Sequence, residues 1–153
     1  MFPIIPANSV AEEAGNDEGI FGFGEGASIT AVTNLVSNAG VVATDVAGVG
    51  TGRRYLAACG YGGDKGIFGY GTTGSNTAIT NLVSNAGVVA TDVAGVGTAR
   101  QGPAACGYGG DKGIFGYGGG FSMTNLVSNT GVVASDVAGV GTARSDLAAC
   151  SFN

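Results

Sequence analysis

Residues 64–110 read DKGIFGYGTTGSNTAITNLVSNAGVVATDVAGVGTARQGPAACGYGG. The same text begins at Asp17 and again at Asp111, an offset of 47 residues each time. Anchors further along, Asn34, Asn81 and Asn125, or Cys59, Cys106 and Cys150, recur at 47 and then 44. The third copy is therefore three residues shorter, between Gly118 and Met123. A self-similar period of this length marks a repeat architecture, in which one supersecondary unit cannot bury its faces alone. It divides the chain into an acidic N-terminal arm (1–16), a first repeat (17–63), a second (64–110) and a third (111–153).

Each copy offers four strand candidates and no helix periodicity. In the middle copy KGIFGYG (65–71) alternates glycine or charge with large apolar groups, the period of a strand. Next come AITNLVS (78–84), a turn at Asn85–Ala86–Gly87, and the β-branched VVATDV (88–93). Ala104–Tyr108 leads into the glycine turn before Asp111. Glycine weakens a strand unless neighbouring backbones approach closely, so its regular use predicts tightly stacked sheets. Four short strands in about 45 residues match one blade of a β-propeller. The fold expected is all-β, a propeller with three four-stranded blades per chain.

VGTAR followed by AACGYGGDKGIFGYG is similar to kelch repeats. In that family a Thr-Ala-Arg-like element precedes a small-residue inner strand, a turn, and an apolar strand ending in glycines. The family's Gly-Gly stands here as Gly-Tyr-Gly, and its tryptophan has no counterpart. The resemblance implies a propeller. Near-identical glycine-rich repeats also resemble those of uncharacterised phage proteins, which implies a virion or tail component.

Propellers have typically four to eight blades, so three call for a partner. Leu147–Asn153 (LAACSFN) repeats the first-strand sequence, while the first copy has only the divergent Ser9–Asn16 at that place. The expected assembly is a homodimer in which strand exchange closes six blades. A filament, or Ser9–Ala14 filling its own slot, are the alternatives.

Composition limits the function. Apolar residues make up 44 % and charged ones 11 %, which suits a packed core rather than a disordered chain. The net charge is −5, with Glu12, Glu13, Asp17, Glu18 and Glu25 all preceding the first base, Arg53. Six scattered bases make no phosphate-binding face, so nucleic acid is not an expected partner; a larger protein assembly reached through the acidic arm is. No apolar run of 18 residues predicts membrane insertion. Met1–Gly15 lacks a basic start and an unbroken apolar core, so no secretory leader is expected, leaving a cytoplasmic or virion location.

Asp45, Asp92 and Asp136 recur with Arg53, Arg100 and Arg144, eight residues apart. The pattern suggests a repeated ion pair, or an arginine bonding backbone carbonyls at a blade junction. Phe23, Tyr70 and Tyr117, with Tyr61 and Tyr108, form an aromatic series. It reads as packing between blades or, in a lectin-like alternative, as sugar-stacking platforms with one weak site per blade. The three cysteines read as small buried apolar residues. With no histidine and no Cys-x-x-Cys, neither a metal nor a cofactor is expected. Near-identical copies do not supply the different groups that catalysis needs, so an enzyme is not expected.

Overall fold

The computed structural model of the chain describes residues 18–152. The acidic arm, including Ser9–Ala14, and Asp17 and Asn153 lie outside the described residues. Among the described residues there is no helix, and eight strands form three antiparallel sheets. They are β1 (Gly19–Gly22), β2 (Thr33–Val36), β3 (Ala57–Tyr61), β4 (Lys65–Gly69), β5 (Thr80–Val83), β6 (Ala104–Tyr108), β7 (Lys112–Gly116) and β8 (Thr124–Val127). The sheet orders are β1-β2, β3-β4-β5 and β6-β7-β8. The sheets do not close on one another. Each three-stranded sheet takes its first strand from before Asp64 or Asp111, so it straddles a boundary of the sequence repeat.

The register repeats with the sequence. Ala57 pairs with Gly69 and Tyr61 with Lys65; Ala104 pairs with Gly116 and Tyr108 with Lys112. On the other edge Gly66 faces Val83 and Gly69 faces Thr80, as Gly19 faces Val36 and Gly22 faces Thr33.

Where four-stranded units are expected, the second and third sheets have three strands and the first has two among the described residues. The fourth segment is present as isolated bridges. Val83 bridges Val89 and Thr80 bridges Val93, so three steps on one side span four on the other. That mismatch is a β-bulge, an extra residue that breaks the ladder and re-aims a side chain. It recurs at Val36–Val42 and Thr33–Val46, and at Val127–Val133 and Thr124–Val137. The recurring aspartate lies inside each mismatched segment, one residue before its second bridge. The second strand stops short of the expected Gly71 because Tyr70 is left-handed, at φ 64°. Phe23 (63°) and Tyr117 (62°) do the same. A left-handed aromatic is strained by about 1–2 kcal/mol, so packing must hold it.

That packing is the sheet stack. One buried cluster, Phe23, Phe68, Val83 and Val89, lies between the first and second sheets. A second, with Tyr61, Ile67, Tyr70, Phe115 and Val127, lies between the second and third. Phe68 tilts against Phe23 and Phe115 edges onto Tyr70, with ring centroids 5.1 Å apart in both cases. The glycines facing these rings leave them room: a Cβ on Gly69 would lie 2.7 Å from Phe115 Cζ. A buried phenylalanine contributes about 1.5–3 kcal/mol, and each aromatic pair about 0.5–1.5 kcal/mol more.

Candidate functional site: the sheet-to-sheet junction

The recurring polar residues meet where one repeat hands over to the next. Arg53 and Arg100 are fully buried. Arg53 donates from Nε to Tyr70 O (3.1 Å), from Nη1 to Thr51 O (3.1 Å) and from Nη2 to Asn81 Oδ1 (2.6 Å). Arg100 repeats this with Tyr117 O (2.6 Å), Thr98 O (3.1 Å) and Asn125 Oδ1 (2.7 Å). Each guanidinium also lies over the aromatic ring of its own repeat: Arg53 over Phe23 at 4.6 Å, Arg100 over Tyr70 at 4.0 Å. A buried charge is costly unless hydrogen-bonded. Here the planar fork of donors is satisfied from both repeats, a geometry lysine cannot supply.

The aspartate completes the handover. Thr51 donates its backbone N–H (3.1 Å) and its hydroxyl (2.6 Å) to Asp92 of the following repeat. Asn81 Nδ2 donates to the same carboxylate at 2.9 Å. Thr98, Asn125 and Asp136 form the same set at the second junction. The acid beside Arg53 is thus Asp92, 3.7 Å from Nη1, and not Asp45 eight residues upstream. Burial pushes the Asp92 and Asp136 carboxyls up. Hydrogen bonds from Thr51 and Asn81, or Thr98 and Asn125, with the charge of Arg53 or Arg100, outweigh burial and hold both below the usual range.

The other sequence-singled residues divide. Phe23, Tyr61 and Tyr70 are buried and present no free face to a ligand. Tyr117 lies under Arg144 at 4.2 Å. Tyr108 is 40 % exposed, so it is the aromatic of that series most open to solvent. Cys59 and Cys106 are half-buried and Cys150 is exposed, against the expectation of three buried thiols. Burial pushes the Cys59 thiol up to about 11. Among the described residues no three acids or cysteines gather as a metal site. The Asp–Arg spacing does not single out the junction donors Thr51 and Thr98; the signal that marks them is a Gly-Thr-x-Arg text, Gly-Thr-Gly-Arg at 50–53 and Gly-Thr-Ala-Arg at 97–100.

A groove of about 360 Å³ opens beside the first sheet. Glu18, Gly19 and Ile20 of the β1 side form one wall, and Ala58, Cys59 and Gly60 of β3 another. In the other sheets, the edge matching that of β1 is occupied by β3 or β6. At the opposite end Leu147–Phe152 repeats the text of β3 and β6 but joins no ladder among the described residues. It is fixed beside β6 by Ser151 Oγ, which donates to Gly107 O at 2.9 Å.

No protein-family model matches the chain, and no curated protein matches it.

Proposed function

We propose that this chain is a non-enzymatic, self-assembling module whose sheets are kelch-like propeller blades, three per chain, closed to six by a second copy. Its role is structural or protein-interacting, as in a virion or tail component. The observation that carries the reading is that, among the described residues, the β1 edge and its groove have no covering strand while a first-strand segment joins no ladder. Adding a strand to an open sheet edge satisfies a row of backbone groups and gives specificity through alternate side chains. The β3–β4 register sets the pairing: Ala148 opposite Gly22, Ala149 opposite Phe21, and Cys150 opposite Ile20 of the sister chain. Small residues at these places suit the close stacking seen at β3 and β6.

The lectin-like alternative has less support, because Phe23, Tyr61 and Tyr70 are committed to packing. The test is mass in solution. A species of twice 14.8 kDa fits the closed ring, and growth without limit fits a filament. A stable single copy at millimolar concentration ends the reading.

A further inference from the structure

The two junctions inside the chain are templates for a third that is laid out but not filled. Arg144 holds the pose of Arg53 and Arg100. It lies over Tyr117, and its Nη1 donates to Thr142 O at 3.2 Å. Among the described residues that is its only side-chain hydrogen bond, and the side chain is exposed where its counterparts are buried. The same is true of the glycine before Thr142. A Cβ on Gly50 or Gly97 would lie 2.3 Å from the aspartate of the next repeat, whereas one on Gly141 would meet only Tyr117 Oη at 3.8 Å. Leu126 is also left 38 % exposed on this face.

The first sheet carries the matching half. Asn34 Nδ2 donates to Ala43 O (3.2 Å) and to Asp45 Oδ1 (2.8 Å), as its counterparts do in the later repeats. Its Oδ1, the atom that accepts from arginine at Asn81 and Asn125, receives no donor among the described residues. Asp45 is exposed and receives no threonine there. Phe21, whose counterparts Phe68 and Phe115 are buried under the preceding repeat, is 64 % exposed. One face therefore offers a cation, an N–H and a hydroxyl. The other offers a carboxylate, an amide oxygen and an aromatic ring.

We propose that these faces join two copies of the chain head to tail. Arg144 of one copy takes the Phe23 carbonyl and Asn34 Oδ1 of the other, and Thr142 takes Asp45, so the joint repeats the internal junctions. The proposal rests on the self-assembly reading above and adds the residues that direct it. Exposed residues at identical sequence positions are being asked to do what Arg53, Asp92, Arg100 and Asp136 already do in the same chain. The joint is heterologous, front to back, so each copy uses different residues on its two faces.

Trans-complementation tests it on the full chain. Arg144→Ala spoils the front face and leaves the back intact; Asp45→Ala does the reverse. By sedimentation, each variant alone is expected to associate at least tenfold more weakly than the unaltered chain, with its circular dichroism unchanged. Mixing the two restores one intact joint, and mixed dimers, followed by a fluorophore on each variant, are expected to outnumber either self-dimer. The milder pair Arg144→Gln and Asp45→Asn keeps side-chain volume and serves if either alanine variant folds poorly. If the unaltered chain stays single, the self-assembly reading falls and takes this joint with it. If it associates but the variants do so equally well, or if mixing restores nothing, the joint alone is overturned.

Discussion

At the scale of single residues, the junction is a charge network with a definite response to acid. Asp92 and Asp136 titrate below the ordinary carboxylate range in the folded chain, since the bonds from Thr51, Asn81 and Arg53, or their counterparts, outweigh burial. The unfolded chain, with aspartates near pH 3.9, therefore binds more protons as pH falls through that interval. Their stabilisation is complete above about pH 5 and is lost as pH drops through the folded values. Asp92→Asn with Asp136→Asn is expected to lower stability at pH 7 and to flatten its fall between about pH 5 and pH 2. Urea midpoints at a series of pH values check this, and parallel curves for variant and parent would contradict it. The thiols make a second residue-scale test. Only the thiolate reacts readily, and Cys59 ionises only at about 11. Cys150 is exposed. At pH 8 and high dilution, alkylation followed by mass spectrometry is expected to mark Cys150 first and Cys59 much later.

At the scale of elements, the glycine in the second strand sets how closely sheets approach. Gly69→Ala places a methyl 2.7 Å from Phe115 Cζ. Overpacking of this kind costs about 1–3 kcal/mol. The equivalent Gly116→Ala meets Thr124 Cγ2 at 3.4 Å and no residue of a following sheet. It is expected to change stability by no more than about 0.5 kcal/mol. Chemical denaturation at high dilution compares the two, and equal losses would mean that the contact with Phe115 is not what matters. The strands themselves were legible, because apolar and glycine residues alternate along KGIFG and β-branched residues fill the return. The failed part is informative. VVATDV looks like a strand by composition, but its extra residue is visible only against Thr80 and Val83 on the facing strand. Likewise nothing local marks Tyr70 as left-handed; its conformation is held by Arg100 and Phe115, which come from further along the chain. The Asp–Arg spacing pointed to a repeated polar junction, yet its partner lies one repeat onward, since the chain crosses to the next sheet between them.

At the scale of the whole molecule, stability is expected to be graded along the stack. Each junction contributes one apolar cluster and one buried arginine, and a sheet in such an array is held by its own hydrogen bonds plus its contacts on either side. The middle sheet, β3-β4-β5, is covered on both faces. The first sheet has two strands among the described residues and shows Phe21 to solvent, while the third shows Leu126. Local opening follows buried contact, so the least covered units open first. Amides of β4, at Gly66 to Gly69, are expected to exchange slowest, those of β1 and β2 fastest, and those of β7 and β8 between them. Raising the concentration until copies associate should slow exchange in β1 and β2 more than in β4, because β4 is already enclosed. Hydrogen exchange read by mass spectrometry resolves these segments. A single shared rate in all three sheets at high dilution would instead mean that the stack opens as one cooperative body, with the internal junctions strong enough to abolish the gradient.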